Sequence, residues 1–259
     1  MAHIHVAVIN ASHAVSDADA QEAVTALQTQ VHRDFAPVWG IDADLSFIPS
    51  GNEPPPGAWW LVVLDNSDQA GALGYHDLTS QGLPLGKVFA KSDIDNGANW
   101  TVTASHELLE ILADPDINLA TFVEQDGQGS MGKGILYAYE VCDACEAEEY
   151  SYLIDGTAVS DFVYPSWFES FWKPGATQFD RQNQIREPFE LLPGGYIGVY
   201  GVVAGTGWQQ LTAELPTAGM HKVRPHVGSR RERRRTARSG WQQSDAHSSL
   251  AEVPYQRSG

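Results

Sequence analysis

The sequence is poor in cysteine, with only Cys142 and Cys145 among its 259 residues. Two thiols cannot build the network of disulfides that stabilises small secreted domains. Without a second pair they also supply only half of a four-thiolate zinc site. We therefore expect two ordinary thiols close to a turn, with a local disulfide or a redox role as the alternatives.

Long apolar runs are also missing. No stretch approaches the roughly 20 apolar residues that a membrane-spanning helix needs. Residues 1–5 (MAHIH) are typical of the beginning of a strand rather than of a signal peptide. The sequence therefore predicts no membrane partner and a cytoplasmic location. Export by a non-classical route, or incorporation into a particle, would leave the same pattern.

Basic side chains are scarce over most of the chain. Residues 1–221 carry seven Lys or Arg and thirty Asp or Glu, a net charge of −23, whereas residues 222–259 hold nine basic residues. Because residues 1–221 are so acidic, they should repel nucleic acid and anionic membranes and attract cations. Residues 221–259 are rich in Arg and Ser, so we predict a disordered basic tail. Nucleic acid or another anionic partner would bind only there, and the alternative is a solubilising tail without a partner.

The apolar pattern predicts a mixture of helices and strands in residues 1–220, which we expect to form one domain. A first helix should run from Ser16 or Asp17 to about Phe35. Strands are predicted at residues 3–10, 44–49, 59–64, 72–76, 87–90 and 136–141. Residues 116–135 should form a loop, and hairpins are expected in residues 150–163 and 189–208.

The chemistry is concentrated in residues 100–115 (WTVTASHELLEILADP), which have the pattern of a helix. His106 and Glu110 are four positions apart, so both side chains point from the same face. Glu107 is rotated from His106 by about 100° around the helix axis. The spacing is that of the HExxH zinc-hydrolase helix, with Glu in place of the second His. Leu residues on the other face should pack in the core.

Two flanking features should limit this helix. Thr103 or Ser105 can cap its beginning through the side-chain oxygen. Pro115 prevents its continuation past Asp114. The chemistry should therefore lie within a short, well-delimited helix.

A metal ion explains why these residue types would stand together. Zinc binds His nitrogen and carboxylate oxygen, so His106 and Glu110 are candidate ligands and Glu107 is the candidate general base. A second Glu makes the site more anionic, so calcium or manganese is an alternative to zinc. Without a metal, the same residues would form a polar helix face with a Glu–His contact.

A third ligand should come from elsewhere in the chain. Glu140 is the preferred candidate and Asp143 the next, although either could instead accept a hydrogen bond from His106, or belong to a solvated turn. Asp114 is on the correct face but about 12 Å along the helix from His106, so it should brace the helix end. His76 is a candidate catalytic residue that would donate a hydrogen bond to the transition state; the alternative is a structural histidine at a strand end.

Several motifs together resemble one family. They are Gly74-Tyr75-His76-Asp77, the SHELLE segment from Ser105 to Glu110 with Asp114-Pro115, the YEVCD segment from Tyr139 to Asp143, and Pro188-Phe189-Glu190 with Gly194-Gly195-Tyr196. This set, within residues 60–200, resembles a group of bacterial and phage proteins that look like zincin-type metallopeptidases. The strand and helix order is also that of a zincin N-terminal half.

The resemblance implies an α+β fold. A zincin-like N-terminal half would place a twisted mixed sheet over the active-site helix, and the C-terminal half would be rich in β-hairpins. The implied activity is zinc-dependent hydrolysis of a peptide or protein substrate. The rival hypothesis is a non-catalytic structural or binding module, associated with a phage or another particle, in which the metal only stabilises the fold.

Overall fold

The computed structural model describes residues 3–69, 72–124, 134–202 and 207–213, which belong to two compact units. The first unit contains the described parts of residues 3–117 together with 152–159, and the second those of 118–151 and 160–213. The described residues form several sheets and few helices, which confirms the α+β class. That residues 1–220 form a single domain stays a prediction, and the predicted tail, 221–259, lies outside the described residues.

A five-stranded mixed sheet forms the frame of the first unit. Its strands have the spatial order β2-β1-β3-β5-β4, in which β4 alone is antiparallel to its neighbour. Their bounds are β1 Ile4–Asn10, β2 Ala43–Ile48, β3 Trp59–Leu64, β4 Gly74–Leu78 and β5 Pro84–Phe89. Apolar side chains of the central strands are fully buried, so this sheet carries much of the unit's core. The strand predictions for this half are confirmed to within a few residues.

The α-helices of the first unit are α1 Asp17–Thr29, α2 Ala36–Trp39, α3 Ala90–Asp95 and α4 Trp100–Ala113. Of these, α1, α3 and α4 pack against the sheet. Ser16 caps α1 by accepting a hydrogen bond from the Asp19 N–H, as its position predicted. The α-helix ends at Thr29, and a π-helical segment, Gln30–Phe35, continues to α2. The hairpin expected in residues 150–163 is confirmed: β8 Tyr152–Ile154 pairs with β9 Thr157–Val159, the chain turns at residues 155–156, and β9 packs on α1 and α4.

Helix α4 is buried on all sides from Val102 to Ala113. Its apolar residues Leu108, Leu109, Ile111 and Leu112 are at most 1% exposed, each contributing about 1.5–3 kcal/mol to the free energy of folding. The helix ends at Ala113, before Pro115, as predicted. The predicted caps are wrong, because α4 begins at Trp100 and its N-cap is Asn99, which makes no side-chain capping bond.

Thr103 and Ser105 have tertiary partners instead of capping the helix. The Thr103 hydroxyl donates to Asp93 Oδ1 at 2.9 Å, and the Ser105 hydroxyl donates to Gln30 Oε1 at 2.7 Å. All four residues are at most 2% exposed. These hydrogen bonds satisfy polar groups within the core and connect α4 to α3 and to the π-helical segment.

The second unit is built on an antiparallel sheet with the order β11-β10-β7-β6. Its strands are β6 Ala120–Glu124, β7 Gly134–Ala138, β10 Tyr196–Gly201 and β11 Trp208–Thr212. Fully buried aromatic residues, Phe162, Trp167 and Phe179, supply much of its core.

The prediction of a loop over residues 116–135 is wrong, because β6 lies within them; residues 125–133 are outside the described part. The hairpin expected in residues 189–208 is confirmed by the antiparallel pair of β10 and β11, although β11 extends to Thr212. Helix α3 was not predicted. Among the described residues, the helices are too short or too polar to cross a membrane.

Candidate metal centre

Two histidines and two glutamates meet in the first unit. His76 comes from β4, and His106, Glu107 and Glu110 come from α4. His106 Nε2 lies 3.2 Å from Glu110 Oε1. His76 Nδ1 lies 3.1 Å from both Glu107 Oε2 and Glu110 Oε2. Glu110 therefore contacts one histidine with each of its carboxylate oxygens. We call these four residues the buried cluster.

Helical spacing explains the positions of the three cluster residues on α4. His106 and Glu110 are four positions apart and therefore lie on the same face of the helix, and Glu107 lies on the adjacent face, towards β4. His76 can reach both carboxylates because β4 lies at the edge of the sheet beside β5, and both strands pack on α4.

Two glycines allow the close approach of helix and sheet. A Cβ atom on Gly74 would lie 2.6 Å from Thr103 Cγ2 and 2.7 Å from Glu107 Oε1. A Cβ atom on Gly86, the strand partner of His76, would lie 3.3 Å from Glu107 Cβ. A side chain at Gly74 would therefore press directly on α4, whereas one at Gly86 would first meet Leu61 Cδ1, at 2.8 Å, and then Glu107.

The cluster is almost fully enclosed. The exposed fractions are 6% for His76, 5% for His106 and Glu107, and 3% for Glu110. Burial alone would raise the pKa of Glu110, but the positive charges of His106 and His76 and their hydrogen bonds outweigh burial. The pKa of this carboxyl group therefore lies well below its usual range, and Glu110 is ionised.

The donor atoms suit a divalent ion. Donor atoms of His76, Glu107 and Glu110 lie within 4.8 Å of one another. With neutral imidazoles the two carboxylates leave a charge of −2 in a buried place, which either a divalent cation or protonated histidines must balance. Imidazole nitrogen and carboxylate oxygen are both ligands of zinc. These buried residues could hold a metal ion.

The predicted site residues fall into two groups. The structure brings together His76, His106, Glu107 and Glu110, with His76 at hydrogen-bonding distance from two carboxylates. Glu140 and Asp143 belong to the second unit, where both are buried, at 4% and 5% exposure. Their role as metal ligands stays a prediction.

Asp114 has the structural position that the sequence suggested. It is the C-cap of α4, and its backbone N–H donates to the Glu110 carbonyl oxygen at 2.9 Å. This bond closes the last turn of the helix directly below the buried cluster. Asp114 therefore braces the helix end.

Sequence reasoning missed the residues that support the cluster. Gly74 and Gly86 set the distance between helix and sheet, and Gln30 holds Ser105, the residue before His106. The sequence offered one signal of this support: Gly74 stands two positions before His76 in a strand, and a glycine in a strand often marks a close approach of another element.

The two cysteines are buried in the second unit and are not joined in a disulfide. Cys145 Sγ lies 3.7 Å from the Cys142 carbonyl oxygen. Burial raises the pKa of Cys145 well above its ordinary value. A thiol in this state is a poor nucleophile, which agrees with the expectation of ordinary thiols.

Comparison of the chain with protein-family models, with curated proteins and with solved structures finds no match. The resemblance to zincin-like proteins thus stays a hypothesis that rests on the sequence motifs.

Proposed function

We propose that the buried cluster binds one divalent ion, with zinc as the preferred ion, and that the protein is a zincin-like metallopeptidase. The observation that carries the proposal is the position of Glu110 between two imidazoles, on a helix with the HExxE spacing. The ion would supply Lewis-acid activation of a water molecule and of the substrate carbonyl.

Two assignments of the remaining residues share Glu110 as a ligand. In the first, His106 and Glu110 hold the ion, Glu107 is the general base, and His76 orients Glu107 through the 3.1 Å contact. In the second, His76, Glu107 and Glu110 are the ligands, because their donor atoms lie within 4.8 Å of one another.

The fold of the first unit supports a peptide or protein substrate. Strand β4 is an edge strand, and it carries His76. An edge strand can pair with an extended peptide through main-chain hydrogen bonds. A peptide bound along β4 would run past the cluster, as expected for a zincin-like cleft.

Burial favours a second candidate function. With at most 6% of any of its four residues exposed, the cluster resembles a closed structural site more than an open catalytic one. In that case the metal would stabilise a non-catalytic structural or binding module. Metal content alone would not separate the two functions. The effect of removing the general base on peptide hydrolysis would separate them.

The test compares Glu107→Gln with Glu110→Gln in the untagged full chain. If Glu107 is the base, Glu107→Gln should keep its metal and melting temperature while hydrolysis of an unbiased peptide library falls by about 10²–10⁴-fold. Glu110→Gln should lose the metal in both assignments. The matched control is Glu22→Gln, on the exposed surface of α1, which should change neither quantity.

Each result has a distinct reading. Loss of metal in Glu107→Gln would assign Glu107 as a ligand and remove it as the base. Metal binding without any metal-dependent cleavage would establish the structural module instead. A wild-type protein that cannot be loaded with zinc, manganese or calcium would end both proposals.

A further inference from the structure

A second group of histidines lies on the surface of the first unit. His3 immediately precedes β1, and His5 is two residues further, so their side chains lie on the same side of the strand. In the parallel pairing of β1 with β2, His5 is aligned with Asp44. The rings of His3 and His5 are 4.8 Å apart, and His3 Nε2 contacts Asp44 Oδ2.

The three side chains converge. One ring nitrogen from each histidine and one carboxylate oxygen of Asp44 lie within 4.8 Å of one another. Neighbouring strands are about 4.8 Å apart, so the pairing of β1 with β2 itself places His5 beside Asp44. Nearly half of the Asp44 side chain and more than half of that of His3 are exposed. An ion could therefore enter directly from solvent.

His32, from the π-helical segment, stands beside this group. Its Nε2 lies 3.8 Å from Asp44 Oδ1, and its Nδ1 lies 2.5 Å from Asp42 Oδ1. The same Nε2 lies 2.7 Å from the Gln28 side-chain nitrogen, so hydrogen bonds hold the His32 ring in place beside Asp44.

We propose that His3, His5 and Asp44 form a surface site for a divalent transition-metal ion, separate from the buried cluster. Two imidazole nitrogens and one carboxylate oxygen are a common three-ligand set for zinc, and they leave a coordination position for water or an external ligand. The nitrogen donors favour zinc, copper or nickel over calcium and magnesium, which prefer oxygen.

The chain offers a matched control. His13 Nδ1 lies 3.0 Å from Asp65 Oδ2, and its side chain is 93% exposed. This is also a histidine–aspartate contact, but it is not among the three-donor groups found within the described residues. If any exposed histidine beside an aspartate could bind zinc, His13 would do so as well as His5.

The test is calorimetric titration of zinc into untagged, metal-stripped full chain, with His5→Asn and His13→Asn. The proposal expects His5→Asn to lose one equivalent of zinc, or to bind it at least tenfold more weakly, since loss of even an outer partner costs about 10–100-fold. His13→Asn should titrate like wild type, and the ring NMR signals of His3 and His5 should shift as zinc is added.

The outcomes separate this site from the buried one. If His5→Asn loses one equivalent of zinc that Glu110→Gln still binds, the result supports the surface site. This conclusion does not depend on whether the protein is a metallopeptidase. Identical titrations of wild type and His5→Asn would overturn the surface site, and so would an equal weakening in His13→Asn. Because all of these side chains are exposed, unchanged melting temperatures should accompany each surface variant.

Discussion

Asp161 and Asp180 form a buried carboxyl pair in the second unit, and we expect it to make stability depend on pH. The two residues are 1% and 0% exposed. Burial raises the pKa of Asp161, and the negative charge of nearby Asp180 raises it further, to about 9. At neutral pH Asp161 is therefore protonated in the folded protein.

Asp161→Asn should reproduce the protonated acid. Oδ1 of Asp161 accepts both the Phe162 N–H, at 2.8 Å, and the Gln182 N–H, at 3.1 Å. The carbonyl oxygen of an asparagine can accept both bonds, and its amide group stays uncharged beside Asp180 at every pH. The variant thus keeps the hydrogen bonds and removes the titration.

The magnitude follows from the two pKa values. Unfolded, Asp161 titrates near its ordinary value of 3.8, whereas in the folded protein it titrates near 9. Between these values the folded state holds one more proton, so the stabilisation is complete below about pH 4 and is lost as pH rises. The free energy of unfolding should fall by about 1.4 kcal/mol per pH unit, or about 3 kcal/mol from pH 6 to pH 8.

Urea unfolding at pH 6, 7 and 8, followed by tryptophan fluorescence, measures this slope. Wild type should lose about 3 kcal/mol relative to Asp161→Asn over that range. Asp180→Asn is the control, because both Asp180 oxygens accept backbone N–H groups, from Ile185 and Gln184. An amide there leaves one N–H unpaired and should destabilise at every pH. Parallel pH profiles for wild type and Asp161→Asn would refute the raised pKa of Asp161.

Two further predictions concern the first unit. Gly74→Ala should lower the free energy of unfolding by about 1–3 kcal/mol in chemical denaturation, because its Cβ would meet Thr103 at 2.6 Å, whereas Gly86→Ala, which meets the flexible end of a leucine, should cost less. Burial would raise the pKa of Asp65, but hydrogen bonds from Ser12 and the following backbone outweigh it and hold this pKa at about 2. The resulting stabilisation of the folded state, about 2 kcal/mol, should be present above pH 4 and lost as pH falls to 2. Acid unfolding should show this loss in wild type but not in Asp65→Asn.

The sequence predicted best the elements whose burial is uniform. Strand β3 was placed to the residue because Trp59–Leu64 is a continuous apolar run of the kind buried within a sheet. Strand β6 was missed, since its exposed and half-buried residues alternate in a short edge segment next to a Gly- and Gln-rich stretch. Helix α3 was missed because only two of its six residues, Ala90 and Asp93, are buried.

The candidate site was predictable where it depends on a single helix. His106, Glu107 and Glu110 were found by spacing, because the geometry of a helix turn is the same in any fold. The partners of Thr103 and Ser105 were not, since Asp93 and Gln30 are brought to them by tertiary packing. A hydroxyl near a helix start predicts a cap only when the helix boundary is known, and here the helix begins earlier.

The position of His76 shows what the sheet adds to the helix motif. No helical spacing could bring this residue to Glu110; it gets there because β4 pairs with β5 and places Gly86 opposite it. Gly86 and Gly74 then let α4 approach until both carboxylates lie 3.1 Å from the imidazole. The two glycines and the histidine are therefore coupled: the glycines allow the contacts that the histidine makes. A change at Gly74 should affect the metal as well as stability, because moving the helix by a few tenths of an ångström separates the donor atoms that would share the ion.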